Sequence, residues 1–122
     1  MPARRDIVLA RFPFTDRSGT KIRPVLVLAE TPGVYRDFIV VFISSQIGQA
    51  VADFDLILEP AHPSFGGSGL KTASVFRIAK SASLSAALLR GTLGQLDEVV
   101  FDEIISRLAR LLVTGQSGEL GT

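Results

Sequence analysis

Two arginines stand where strand-like apolar runs would not ordinarily hold a charge. Arg23 lies at the mouth of residues 22–29 (IRPVLVLA), directly before Pro24, and Arg77 interrupts residues 74–78 (SVFRI). An unpaired charge in an apolar setting is expensive. Each arginine therefore either pairs with a carboxylate across a sheet or faces a common pocket that takes an anion. In the second case a phosphodiester fits, because guanidinium is a planar, permanently charged fork that matches phosphate oxygens. Cations together with hydroxyls can stabilise the charge that develops when an RNA 2′-hydroxyl attacks its own phosphate, with no metal required. The residues alone leave both readings open.

Other chemistries find less support. A single histidine, His62, excludes mechanisms that need a histidine acid and a histidine base in one subunit, and its Pro/Gly-rich surroundings read as a solvated loop. Asp53 and Asp55 fall on one face of an expected strand, yet no third carboxylate or histidine clusters with them in sequence to complete a cation site. The glycines of residues 65–69 (FGGSG) lack the strand-to-helix context of a phosphate-cradling motif and read as a flexible loop. Ser44 and Ser45 have no nearby histidine and acid, so a hydrolase triad is not indicated. What remains is arginine, hydroxyl and loop.

The elements that must position these residues are mostly strands. Residues 6–12 (DIVLARF) form an expected first strand ended by Pro13, with a polar loop over 15–20 and a hairpin to the next strand. Residues 22–29 and 37–44 (DFIVVFIS) are nearly continuous apolar runs, as in strands buried on both faces. The missing donor of Pro24 is tolerated near a strand start. Residues 53–58 (DFDLIL) alternate carboxylate and apolar side chains, as in a strand with one wet face, and residues 73–78 (ASVFRI) supply a fifth strand. The period then changes. Leu96, Val100, Ile104, Leu108 and Leu111 recur every three or four residues, which predicts an amphipathic helix. Asp97 and Glu98 lie in its first turn, Arg107 and Arg110 near its end, and Gly115 just past it, in accord with the helix dipole and a glycine stop. Five or more short strands and one long helix predict a curled antiparallel sheet, close to a small SH3-like barrel, with the helix packed on it.

A chain of 122 residues closes one core, so a single domain over residues 1–115 is expected, with a disordered tail at 116–122. With 47% apolar and 20% charged residues the chain is far from a disordered composition. It has no cysteine, which removes disulfides, zinc ribbons and thiolate nucleophiles together and fits a reducing compartment. The short apolar stretch near the N-terminus is cut by Arg11 and reads as neither signal peptide nor membrane span, so a cytoplasmic location is expected. The net charge of +1 hides strong segmentation. Residues 1–23 carry six basic and two acidic side chains, and residues 61–96 carry four basic and none acidic. Should these two segments meet in the fold, they would make a surface that attracts phosphates.

Four blocks in order add a resemblance. They are Asp6-Ile7-Val8-Leu9 through Phe12-Pro13-Phe14-Thr15-Asp16 to Ser18-Gly19-Thr20-Lys21-Ile22-Arg23-Pro24, then Phe42-Ile43-Ser44-Ser45-Gln46-Ile47, then Leu70-Lys71-Thr72-Ala73-Ser74-Val75-Phe76-Arg77, and Leu93-Gly94-Gln95-Leu96-Asp97 at the start of the terminal helix. Over about residues 5–113 the chain resembles the MazF/PemK-type toxins of toxin-antitoxin pairs. The resemblance implies a homodimeric, metal-independent and cofactor-free endoribonuclease that cleaves single-stranded RNA at short sequences and inhibits growth. It further implies restraint by a cognate antitoxin and DNA contact only through that antitoxin.

Carried over by position, Arg23 matches the arginine that acts on the scissile phosphate. Ser44 matches a threonine whose hydroxyl helps there, and Arg77 matches an arginine that serves as acid and transition-state stabiliser. RNA contacts are expected from Phe14, Arg17, Ser18, Thr20, Lys21, Ser45, Gln46 and Lys71. The chain departs from the family pattern at three places: Arg5 stands where a glycine is common, Ser44 replaces threonine, and Ala79 replaces an acidic residue found two positions after the second arginine in some members. Two alternatives stay open: a catalytically degenerate antitoxin- or RNA-binding module of the same fold, and a gyrase-poisoning relative, although the chain has no tryptophan and lacks an aromatic-rich C-terminal end.

Overall fold

The computed structural model describes residues 2–12 and 21–116. Six strands, β1 (Asp6–Phe12), β2 (Lys21–Glu30), β3 (Asp37–Ser44), β4 (Leu56–Leu58), β5 (Ser74–Ser85) and β6 (Leu89–Gln95), form one sheet in the order β4-β5-β3-β2-β1-β6. Its pairings are all antiparallel. The helices are α1 (Phe65–Ser68) and α2 (Glu98–Thr114), and short helical turns occupy Ile47–Gln49 and Ala86–Leu88.

The continuous apolar runs of β1 to β3 have a direct structural reason: successive side chains enter two different cores. Ile7, Leu26, Leu28, Val41 and Ile43 point to one face, where they meet Leu96, Phe101 and Ile104 beneath α2. Val8, Ala10, Val25, Val27 and Val40 point to the other, where the curl of the sheet packs them with Phe38 and Leu84. Phe101 and Ile104 are fully buried, and each such side chain contributes roughly 1.5–3 kcal/mol through removal from water. The Asp97 carboxylate accepts from the Val99 N–H at 3.0 Å and so caps the start of α2. Gly115 ends it in the left-handed region, at φ 77°, with its N–H donating to the Leu111 carbonyl at 2.7 Å. No helix among the described residues is long and apolar enough to cross a membrane.

Several expectations are corrected. Residues 53–55 are not part of a strand: Asp53 sits at φ 66° in a turn and only residues 56–58 pair with β5, so Asp53 and Asp55 do not share a strand face. The alternation was produced by a turn that buries Phe54 and the Asp55 side chain together. β5 continues seven residues past Ile78, to Ser85, and β6 was not visible at all in the apolar pattern. Residues 65–69 are not a flexible loop, since α1 packs against β6. Arg107 does not serve the helix end: the last turn of α2 holds no basic residue. Instead its Nη1 donates to the carbonyls of Phe54 (2.8 Å) and Asp55 (3.0 Å), and its Nε pairs with Glu103 at 2.8 Å.

The expected loop over 15–20, with Phe14, Arg17, Ser18 and Thr20, and residues 117–122 of the expected tail lie outside the described residues.

Candidate functional site

The registers of β2, β3 and β5 bring the distant candidates to one face. Val25 pairs with Phe42, and Phe42 pairs with Arg77 on its other side, so these three side chains project from the same face. A period of two then adds Arg23 and Ser44 to it. The β2–β3 ladder starts at Val25, one residue after Pro24, and leaves the ends of the two strands open. A cleft of about 690 Å³ occupies this opening.

Every expected site residue that falls within the described residues lines this cleft: Lys21, Arg23, Ser44, Ser45, Gln46, Lys71 and Arg77. Lys80, which sequence reasoning missed, is a fifth cation beside Lys21, Arg23, Lys71 and Arg77, and no carboxylate among the described residues joins them in the lining. The two basic segments of the sequence therefore do meet. Leu9, Phe12, Phe42, Leu70 and Leu93 supply apolar walls, with the Phe12 and Phe42 rings edge-on at 5.0 Å between centroids.

The two arginines answer the earlier either/or differently. Arg23 is exposed, and among the described residues its guanidinium has no hydrogen-bond or ion-pair partner. Arg77 both pairs with a carboxylate and reaches the cleft. Its Nε donates to Asp55 Oδ2 at 3.2 Å and its Nη1 donates to Gln49 Oε1 at 3.1 Å. The Arg77 side chain is 18% exposed and that of Asp55 only 2%. Ser44 Oγ accepts from the Gln46 N–H at 3.0 Å, which leaves the hydroxyl proton free to donate elsewhere.

The cleft wall on the α1 side is set by a close backbone approach. A Cβ on Gly94 would lie 2.3 Å from the Gly67 carbonyl oxygen, and one on Gly69 would lie 2.1 Å from that of Leu93. Only glycine at both positions lets α1 sit directly on β6. The Ser68 hydroxyl, buried there, donates to the Phe65 carbonyl and accepts from the Leu70 N–H at 3.1 Å, which carries the chain on to Lys71.

Ala79 is exposed and does not line the cleft. It falls in a bulge, because adjacent residues Val41 and Phe42 pair with Ser81 and Arg77 and leave residues 78–80 unmatched. His62 is exposed and outside the lining, with its Nδ1 accepting from the Ser64 N–H at 2.9 Å. No group of three or more His, Asp or Glu side chains among the described residues is placed to hold a metal ion.

The chain is thus a curled antiparallel sheet with a terminal helix and a cationic cleft at its open strand ends, and comparison with known proteins assigns its family. The family profile described as PemK-like, MazF-like toxin of type II toxin-antitoxin system matches residues 3–112. The chain belongs to that family. A search of curated proteins finds no match. Among 36 matching chains of solved structures is an endoribonuclease in complex with its cognate antitoxin from Mycobacterial species, with a TM-score of 0.68 at 14% identity, covering 93% of this chain and 97% of that one. At that identity the likeness establishes the fold.

Proposed function

We propose that this chain is a metal-independent, sequence-specific endoribonuclease that cleaves single-stranded RNA, works as a cytoplasmic homodimer and is restrained by a cognate antitoxin. The observation that carries the reading is the cleft itself: five cations and a positioned hydroxyl converge from separate elements with no carboxylate among the described lining residues. In the reaction the 2′-oxygen attacks its own phosphorus and the P–O5′ bond breaks, with one proton passing overall from the 2′-hydroxyl to the leaving oxygen. The products are a 2′,3′-cyclic phosphate and a 5′-hydroxyl end. Arg23 meets a non-bridging phosphate oxygen, the Ser44 hydroxyl donates a second hydrogen bond, and Arg77 adds fixed charge from β5. The apolar side chains beside them give bases a surface away from water. Lys21, Ser45, Gln46 and Lys71 contact the flanking RNA.

Family membership and the antitoxin-bound endoribonuclease of like fold support the toxin role. The exposed Val99, Leu112 and Val113 of α2 leave apolar surface for a second subunit. The decisive experiment is incubation of the purified protein with a long RNA in EDTA, followed by mapping of the ends. Site-specific 5′-hydroxyl ends are expected, whereas intact RNA would overturn the reading and favour a binding module.

A further inference from the structure

We propose that Asp55 is a positioning residue of this cleft, holding Arg77 so that its Nη2 edge is the one presented to an anion; the proposal rests on the reading of the cleft as a phosphodiester site. Four observations converge on it. The Asp55 side chain is almost fully buried and its carboxylate is committed on both oxygens: Oδ1 accepts from the Ile78 N–H at 3.0 Å, and Oδ2 accepts from the Val51 N–H at 2.9 Å and from Arg77 Nε at 3.2 Å. The Ile78 N–H is available because the bulge at residues 78–80 takes it out of the ladder with β3. The turn that carries Asp55 is itself fixed from behind, by buried Phe54 and by Arg107 holding the Phe54 and Asp55 carbonyls. Gln49 then takes Nη1 at 3.1 Å, which leaves Nη2 without a partner among the described residues.

This carboxylate is buried and does not line the cleft, so it does not replace the acid absent at Ala79. It acts through Arg77. Guanidinium on a long side chain loses considerable rotamer freedom on ordering, and the Asp55–Gln49 bracket removes that freedom before substrate arrives. It also commits the Nε proton, so Arg77 meets an anion through its remaining Nη N–H groups.

The test has two arms. In the first, the Arg77 Nε–H resonance is followed by NMR in the ligand-free protein. Slow exchange with water is expected in the wild type and fast exchange in Asp55→Asn. In the second, single-turnover cleavage of a defined oligonucleotide is measured. A lost hydrogen bond to a charged group predicts a fall of about tenfold to a hundredfold for Asp55→Asn. The exposed Gln49→Ala variant, whose folding is not at risk, should fall about fivefold. Binding of an oligonucleotide with a 2′-deoxy scissile position should change by less than about threefold in either variant, and in an Arg77→Ala background Asp55→Asn should cost less than about threefold further. Free exchange of the wild-type Nε–H, wild-type cleavage by both single variants, or losses that add in the Arg77→Ala background would each overturn the proposal. If the wild-type protein cleaves no RNA, the proposed function falls, and the exchange arm still decides whether Asp55 holds Arg77.

Discussion

Glycine and alanine should exchange with opposite consequences at two positions of the same strand, β6. At Gly91 a Cβ meets nothing within 4 Å, so alanine there gains the usual benefit of a less flexible unfolded chain, about 0.4–1 kcal/mol. At Gly94 the Cβ would lie 2.3 Å from the Gly67 oxygen, and 2.6 and 2.7 Å from the Ser68 carbon and oxygen. All three are backbone atoms, so no side chain can swing aside. Ordinary contact begins near 3.4 Å, which means α1 must retreat by about 1 Å. Overpacking of this kind costs about 1–3 kcal/mol, and the unfolded-chain benefit offsets only part of it. A net destabilisation of about 1–2 kcal/mol corresponds to roughly 3–10 °C in melting temperature for a chain of this size. The retreat also draws Leu70 and Lys71 away from the cleft, so RNA affinity should fall with stability. Thermal melts and RNA titrations of Gly91→Ala and Gly94→Ala, run in parallel, check this. Equal melting temperatures and equal affinities for the two variants would show that α1 does not rest on β6 as described.

Arg23→Ala should abolish cleavage while shifting stability by no more than about 0.5 kcal/mol, because the side chain is exposed and makes no described contact; Arg23→Lys should not restore full activity, since a point charge lacks the fork. Parallel cleavage assays and thermal melts would show it, and wild-type rates for Arg23→Ala would remove it from the site. Ser44→Ala should slow single-turnover cleavage about tenfold, the worth of one neutral hydrogen bond, and Ser44→Thr should be tolerated; a defect larger than that of Arg23→Ala would reverse the roles. Arg5 occupies the left-handed region at φ 80°, which costs a side-chain-bearing residue about 1–2 kcal/mol, so denaturant titration should find Arg5→Gly more stable than Arg5→Ala by about 1 kcal/mol. Light scattering at micromolar concentration should report a dimer, and a monomer would count against the proposed assembly.

The sequence was most legible where one physical signal acted alone. β1 and β3 lie where the apolar runs placed them, because both faces of those strands enter cores and every position reports burial. α2 was equally plain, from its apolar period, the acids at its start and Gly115. Signal failed where pairing, not side-chain burial, makes the strand. The second half of β5 (KSASLS) and β6 (LRGTLGQ) are short of large apolar residues and mostly exposed, and they exist because β3 and β1 offer them backbone partners. Similarly, α1 is built from a glycine pair that propensity disfavours, and only contact with β6 makes sense of it.

The site divides along the same line. Arg23 and Arg77 could be singled out because a charge stands in an apolar run, and Ser44 through the family resemblance; the antiparallel registers then place the three on one face. Lys80 and Gln49 could not be found that way, since an exposed lysine in a polar stretch and a glutamine in a turn look like solvated surface. Asp55 was noticed for the wrong reason. Its spacing from Asp53 mimics strand alternation, whereas its role depends on a bulge in β5 that frees the Ile78 N–H and on Arg107 of α2 gripping the turn from behind. Neither partner is near it in sequence. A carboxylate whose importance comes from two distant donors, the Ile78 N–H and Arg77 Nε, carries no local signature, and that is why the arginine it orients was legible while the residue that orients it was not.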